Sequence, residues 1–308
     1  MIILKKLLTD ILNECYPYTK EGRVATYIPE LAKADTSEFA ICVIPNDGEA
    51  VFVGDYKREF TVQSIIKPLI LLLALMDNGE DAVRHLVGVE ATGKPFDAFN
   101  YSDRALTSEN INPMINTGAI ALWTLIKGDT YLERFERLLE LTRKICKNDG
   151  LYMDEDVYLS EKATGNKNRA LAYMLKAYGM LDDNVEDVLD CYFGACSIKA
   201  TVKDLARIGQ VFANGGVDVE TGERLFDKSL SRYVNAVLVT CGMYDGSGEF
   251  ALNVGVPAKS GVGGGIMAVV PHRMGIGLYS PGLDNKGNSV AGIKALERLS
   301  RELDLSIF

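Results

Sequence analysis

The stretch Gln63-Ser64-Ile65-Ile66-Lys67, which runs straight into the apolar segment Pro68 to Met76, constrains the fold more than any other. The apolar run is too short to span a bilayer. Pro68 must sit in the first turn of the helix, because proline has no N–H to give further in. The helix therefore starts close to Ser64, and its end is expected near Asn78-Gly79. A serine and a lysine three apart on a helix share one face. There the amine can accept the hydroxyl proton, provided the site is dry enough to keep the lysine neutral. The free N–H groups of a first turn would lie beside an oxyanion formed at the serine. The same residues also describe an ordinary N-cap serine followed by a solvated lysine, so the rest of the chain has to discriminate.

With 308 residues, 47% hydrophobic and 24% charged, the chain can form one large domain or two modest ones. A net charge of −9 argues against nucleic acid or an anionic membrane as the main partner. Near the N-terminus, Asp10 and Glu14 interrupt any signal-peptide core. Leu4, Leu7, Leu8, Ile11, Leu12 and Cys15 instead trace one face of a helix, and a cytoplasmic location is expected. The six cysteines (Cys15, Cys42, Cys146, Cys191, Cys196, Cys241) show neither a C-x-x-C pair nor zinc spacing, so buried free thiols are expected. The only histidines, His85 and His272, lie in no motif. A base for Ser64 is therefore expected to be something other than histidine, and no metal or organic cofactor is implied.

Along the chain, Phe39 to Ile44 and Ala50 to Val53 read as strands joined by the turn Pro45-Asn46-Asp47-Gly48. A mostly helical region follows. Leu132, Phe135, Leu138, Leu139, Thr142, Ile145 and Cys146 form a helical stripe, and Ala170 to Tyr178 is a helix that Gly179 stops. Thr201 and Asp204 resemble a capping box for a helix ending at Asn214-Gly215-Gly216. Gly88 to Asn112 and Lys147 to Glu161 read as long polar loops, with Asp154-Glu155-Asp156 as a solvated face. Strand character returns at Ala258 to Ser260, Gly265 to Val270 and Gly275 to Ser280, before a last helix from Val290 to Leu303. This order predicts an α+β fold whose antiparallel sheet is built from both termini, with flanking helices and an inserted helical domain. Residues 1–62 and 256–308 would form the sheet-containing part and 63–255 the helical part, with the pocket at their junction.

The second informative stretch is Lys259-Ser260-Gly261-Val262-Gly263-Gly264-Gly265. It matches neither glycine-rich phosphate motif, and strand rather than helix follows it. A Lys-Ser-Gly strand facing a Ser-x-x-Lys helix resembles the pocket of penicillin-binding proteins and β-lactamases. The resemblance then narrows. Gly22 to Pro29, Asn112 to Ile120, Ser160-Glu161, Asn168 to Tyr173, Asp190 to Phe193, Thr240 to Asp245 and Ala258 to Gly265 are similar, in order, to blocks of the serine-dependent glutaminases. Ile66 and Ala195 depart from residues common in that family, and neither is assigned a role.

The resemblance implies a β-lactamase-like fold and hydrolysis of L-glutamine to L-glutamate and ammonia through a γ-glutamyl-serine intermediate. It makes Ser64 the nucleophile and Lys67 its base, with the N–H groups of Ser64 and Val262 as the oxyanion hole. Tyr27, Gln63, Asn116, Glu161, Asn168, Tyr192 and Tyr244 would surround the substrate. A homodimer or homotetramer is also implied. The residue types suit the chemistry. Glu161 can pair with the substrate's ammonium, Asn and Tyr donors suit its carboxylate, and Tyr244 can relay a proton to the departing ammonia. Glycines after Val262 let the backbone approach the oxyanion. Two alternatives stay open: another hydrolase of this fold, acting on β-lactams, D-Ala peptides or esters, and a non-catalytic relative that binds a ligand.

Overall fold

The computed structural model describes residues 2–93 and 106–308. Residues 94–105, part of the expected 88–112 loop, lie outside the described residues. Helix α1 (Ile2–Cys15) turns Leu8, Ile11 and Cys15 inward, on the face its spacing predicts. Strands β1 (Ala40–Pro45) and β2 (Val51–Gly54) form the expected hairpin. Strand β3 (Phe60–Thr61) leads into a 3-10 turn at Gln63–Ile66 and then helix α2 (Lys67–Leu86), with Pro68 in its first turn. Gly79, at φ 82°, breaks α2 where the sequence places its end, and a second helical stretch continues to Leu86.

Helices α3 (Asn116–Leu122), α4 (Tyr131–Cys146), α5 (Glu155–Thr164), α6 (Asn166–Ala177) and α7 (Val185–Cys196) follow. Strand β4 (Lys199–Ala200) pairs with β3, and α8 (Val202–Ala213), α9 (Lys228–Cys241) and α10 (Ser247–Asn253) complete the middle of the chain. Strands β5 (Ala258–Ser260), β6 (Gly265–Val270) and β7 (Met274–Tyr279) precede the last helix, α11 (Val290–Leu303). All six cysteines are buried free thiols.

Two expectations need correction. The polar stretch 147–161 is a loop only in its first half, because Asp154 caps α5 by accepting the Val157 N–H at 2.9 Å. Glu155 and Asp156 then occupy the first turn, where acids favour the positive end of the helix dipole. Leu132 does not belong to the buried stripe of α4 and is exposed. The buried face begins at Leu138, while the first turn is held by a capping box between Thr130 and Glu133.

The main sheet has the order β2-β1-β7-β6-β5, every neighbouring pair antiparallel, and Ala40 of β1 lies opposite Tyr279 of β7. Both faces are covered. Ile41 and Val43 of β1 join a core with Leu8 and Ile11 of α1 and Ala295 and Leu299 of α11. Ala40, Cys42 and Ile44 alternate onto the opposite face, into the larger core with α2 and α8. Although α8 lies in the mostly helical stretch, it packs flat on the sheet. A Cβ on Gly277 would come within 2.1 Å of the Val202 carbonyl oxygen, so only glycine permits this approach. Burying one side chain such as Leu299 or Val43 contributes about 1.5–3 kcal/mol. The buried inner strands are therefore a stiff wall, and the turn that carries Ser64 packs against β5 and β6.

Candidate active site

Ser64 sits in the 3-10 turn at the head of α2, and Lys67 begins the α-helix. Both are buried. Gln63, immediately before the serine, adopts φ 50°, a left-handed conformation that is strained for a residue with a side chain. The turn after β5 holds it from the other side. A Cβ on Gly261 would meet the Val62 carbonyl oxygen at 2.6 Å, and one on Gly263 would meet the Thr61 carbonyl oxygen at 2.7 Å. The glycines expected to admit an oxyanion thus serve first to press the Val262 turn against the backbone before Ser64. Val262 packs there with Tyr244, Ala25 and Leu283.

The polar contacts form a connected set. Lys67 Nζ donates to Asn116 Oδ1 at 2.7 Å and to the Met114 carbonyl at 3.3 Å. Asn116 Nδ2 donates to Asn168 Oδ1 at 2.8 Å, which ties the head of α3 to α6. Gln63 Nε2 donates to Thr61 Oγ1 at 3.2 Å, and its side chain also hydrogen-bonds the Glu161 carboxyl. Tyr244 and Ser64 are hydrogen-bonded through their side chains, and the Tyr244 hydroxyl donates to the Ser260 carbonyl at 3.1 Å. Tyr244 itself sits at φ 56°, a second strained residue beside the serine. The Lys67 ammonium lies 6.0 Å from the centre of the Tyr192 ring, and Tyr192 feels the charges of Glu161 and Tyr27. Tyr27 is more than half exposed and marks the open side of the cluster.

The electrostatics are unusual for buried groups. Glu161 lies on α5 and is buried, and its Oε2 has no hydrogen-bond partner among the described residues. Burial pushes its carboxyl up to about 8, with Lys67 and the Gln63 hydrogen bond pulling the other way. The acid is therefore mostly protonated at neutral pH and ready to ionise against an incoming cation. Burial raises the Tyr244 phenol well above its ordinary value, and the Ser64 hydrogen bond offsets only part of that, so Tyr244 remains a neutral donor. Burial and the charge of Lys67 hold Lys259 well below the usual lysine range.

All nine residues singled out from the sequence, Tyr27, Gln63, Ser64, Lys67, Asn116, Glu161, Asn168, Tyr192 and Tyr244, fall in this one cluster with Val262. The Met114 carbonyl and the Ser260 carbonyl also take part, and main-chain groups leave no signal in side-chain patterns. Lys259 was visible in its motif but gained no site role from it. Among the described residues no group of histidines, cysteines and acids clusters as metal ligands would. No helix there is long and apolar enough to cross a membrane. The arrangement offers a hydroxyl one turn before a buried amine, a neutral phenol bonded to that hydroxyl, and a buried acid with an unpartnered oxygen.

The sequence profile of the family described as Glutaminase matches residues 22–308. A "Glutaminase 2" of Clostridium perfringens (strain 13 / Type A) is 50% identical over 305 residues, covering 99% of this chain and 100% of the relative. A glutaminase of Clostridioides difficile (strain 630) is 52% identical over 302 residues, covering 98% of each. Among solved structures, a Bacillus subtilis glutaminase in covalent complex with 5-oxo-L-norleucine, formed by reaction with 6-diazo-5-oxo-L-norleucine, superposes with a TM-score of 0.89. It is 36% identical, and the match covers 98% of both chains.

Proposed function

The chain belongs to the glutaminase family, and from that premise we propose how it hydrolyses L-glutamine to L-glutamate and ammonia. Ser64 attacks the γ-amide carbon, and Lys67, as the neutral amine, takes the hydroxyl proton. The N–H groups of Ser64 and Val262 receive the oxyanion. Tyr244, a neutral phenol bonded to Ser64, hands a proton to the departing ammonia. The products of this step are a γ-glutamyl ester on Ser64 and free ammonia. Tyr244, now lacking its proton, takes one from water. The hydroxide displaces the serine oxygen from the γ-carbonyl carbon, and Lys67 returns its proton to Ser64 as glutamate leaves. Burial and the charge of Lys67 depress Lys259, while its two carbonyl acceptors and the aromatic face favour its proton. A neutral Lys67 removes the repulsion, so we place the neutral amine at Lys67 and the proton at Lys259.

Substrate recognition follows from Glu161. Its Oε2 has no hydrogen-bond partner among the described residues and Lys67 offsets only part of the cost of burial, so the acid is stabilised when a ligand brings an ammonium. Asn116, Asn168, Tyr192, Gln63 and Tyr27 supply donors for the α-carboxylate and the amide. The observation that carries the reading is the hydrogen bond between Ser64 and Tyr244 in a buried cluster that also holds Lys67, one turn further on. We also place the protein in the cytoplasm as a homodimer or homotetramer. Its organisation is proposed to be two-part, with 1–62 and 256–308 around the sheet and 63–255 helical. The shared sheet of β1, β2 and β5 to β7 supports that division.

The test is an ammonia-release assay with glutamine, asparagine and a chromogenic β-lactam side by side, with the intermediate mapped by mass spectrometry after rapid quenching. Turnover of glutamine with a γ-glutamyl adduct at Ser64 is expected. Turnover of the β-lactam instead, or an adduct on another residue, sinks the reading.

A further inference from the structure

Lys259 is fully buried, and its donors are spent inside the protein. Its Nζ donates to the Gly242 carbonyl at 2.9 Å and to the Ser260 carbonyl at 2.7 Å, and it stands 4.2 Å above the centre of the Tyr244 ring. Two of an ammonium's three protons go to these carbonyls, which leaves the ring face for the third. Every partner belongs to the support of Tyr244. Gly242 precedes it in the chain by two residues. The Ser260 carbonyl also accepts the Tyr244 hydroxyl at 3.1 Å, and the third partner is the ring itself. Tyr244 needs such support, because its left-handed backbone is a conformation that a side-chain-bearing residue keeps only when its surroundings impose it.

We propose that Lys259 is a positioning residue for Tyr244: its ammonium clamps the ring face and shares the Ser260 carbonyl with the phenol. This fixes the phenol oxygen beside Ser64 and holds its proton on that carbonyl until the leaving nitrogen takes it. Both hydrogen bonds of Lys259 go to main-chain carbonyls. The inference rests on the reading of Tyr244 as the proton donor to ammonia. It assigns the lysine of the Lys-Ser-Gly strand to catalytic geometry instead of substrate binding. A side chain whose protons are already used has nothing left for the substrate's carboxylate, so the affinity for glutamine should not depend on it.

The experiment is a double-mutant cycle on the full chain with Lys259→Met and Tyr244→Phe, following kcat and KM for glutamine, with circular dichroism to confirm folding. K259M removes the charge and keeps the length of the side chain. Expected is a loss of about a hundredfold in kcat, KM within about threefold of wild type, and less than about threefold further loss when K259M is added to Y244F. A rise in KM with kcat unchanged makes Lys259 a binding residue and overturns the proposal. Multiplicative losses in the double variant show that Lys259 acts apart from Tyr244 and overturn it equally. Wild-type turnover by Y244F alone refutes the proton-donor reading beneath, and the positioning role falls with it. Should K259M not fold, Lys259→Arg replaces it: retained cation over the ring predicts kcat within about tenfold and an unchanged KM, whereas a raised KM at full kcat again overturns the proposal.

Discussion

Two regions of this molecule bury charge, and they do so in opposite ways. On α8, Arg207 is buried with Asp218, which it reaches at 2.6 Å, and Lys147 meets the other oxygen of the same carboxylate at 2.9 Å. Glu220 closes the group by bonding Lys147 at 2.8 Å. Burial works against the Asp218 anion, but Lys147 and Arg207 more than offset it and hold its carboxyl well below the ordinary range. In the active site, two lysines lie close enough to repel, and the buried acid between the helices keeps an unpartnered oxygen. One cluster finds all its ion partners in the chain. The other leaves a partner to be supplied by the ligand. A buried acid that burial keeps protonated is a candidate functional group, and on the proposed function the missing partner of Glu161 is the substrate's ammonium.

The sharpest test of that contrast removes the reacting group. Ser64→Ala should lower ammonia release by about 10⁴-fold or more while circular dichroism stays that of wild type. Near wild-type turnover in the folded variant would end the nucleophile assignment. Lys67→Met should cost about a thousandfold or more, and adding it to Ser64→Ala should cost little further, since both residues serve one step. Full additivity would mean that they do not.

The matching change in the paired cluster should move stability and spare activity. Asp218→Asn leaves Arg207 facing a neutral group, and breaking such a pair costs about 3 kcal/mol. Chemical denaturation should show that loss while kcat/KM stays within about twofold. The pH dependence has a definite sign. The depressed carboxyl stabilises the fold above its unfolded value, and that contribution disappears as pH falls through the folded one. A tenfold fall in kcat/KM without lost stability would erase the distinction between the clusters.

Glu161→Gln should do the reverse. It removes the partner of the substrate's ammonium, so kcat/KM should fall at least about tenfold. An analogue lacking the ammonium should lose little further. The same change should raise the melting temperature. A carboxyl whose folded value lies near 8 is held neutral in the fold but ionises freely when unfolded, so it weakens the protein increasingly as pH rises above its unfolded value. The thermal gain should therefore be larger at about pH 7.5 than at about pH 5. A destabilised variant would show that Glu161 is a structural acid.

The smallest effect is on wild-type affinity. Below pH 8 the free enzyme holds a proton on Glu161 that the ammonium must expel. KM for glutamine should fall severalfold as pH rises from about 6.5 to about 8, with a proton released on binding. A KM that is flat or rises over that range argues against an ionising partner.

Much of this was legible in the chain because it rests on local rules. Pro68 located the start of α2, and Gly79 its break. The strands at Ala258 to Ser260 and Gly265 to Val270 appeared within the ranges expected. The acids at Asp154 to Asp156 do form a solvated face, but the end of the expected 147–161 loop is a helix, because a helix cap and a loop use the same residues and only hydrogen bonding separates them. The meeting of Ser64 with Tyr244 and Val262 came from family blocks, since no periodicity spans such separations. The carbonyls of Met114 and Ser260, and the use of Lys259 on its own backbone, depend on where the main chain passes, which no pattern of side-chain types encodes.

The pairing of β1 with β7 bears on how the protein comes into being. Ala40 meets Tyr279 across nearly the whole length of the chain, and the ribosome delivers them in that order. Ser64 therefore emerges long before Val262, its proposed partner in the oxyanion hole, and the glycine turn that braces Gln63 arrives only with the strands that close the sheet. Closing so long a loop carries an entropic cost that grows slowly with its length but must be met before the contacts form. A nascent chain released before β7 would hold its nucleophile without the wall behind it, so hydrolytic capacity should switch on only when the last strands are made.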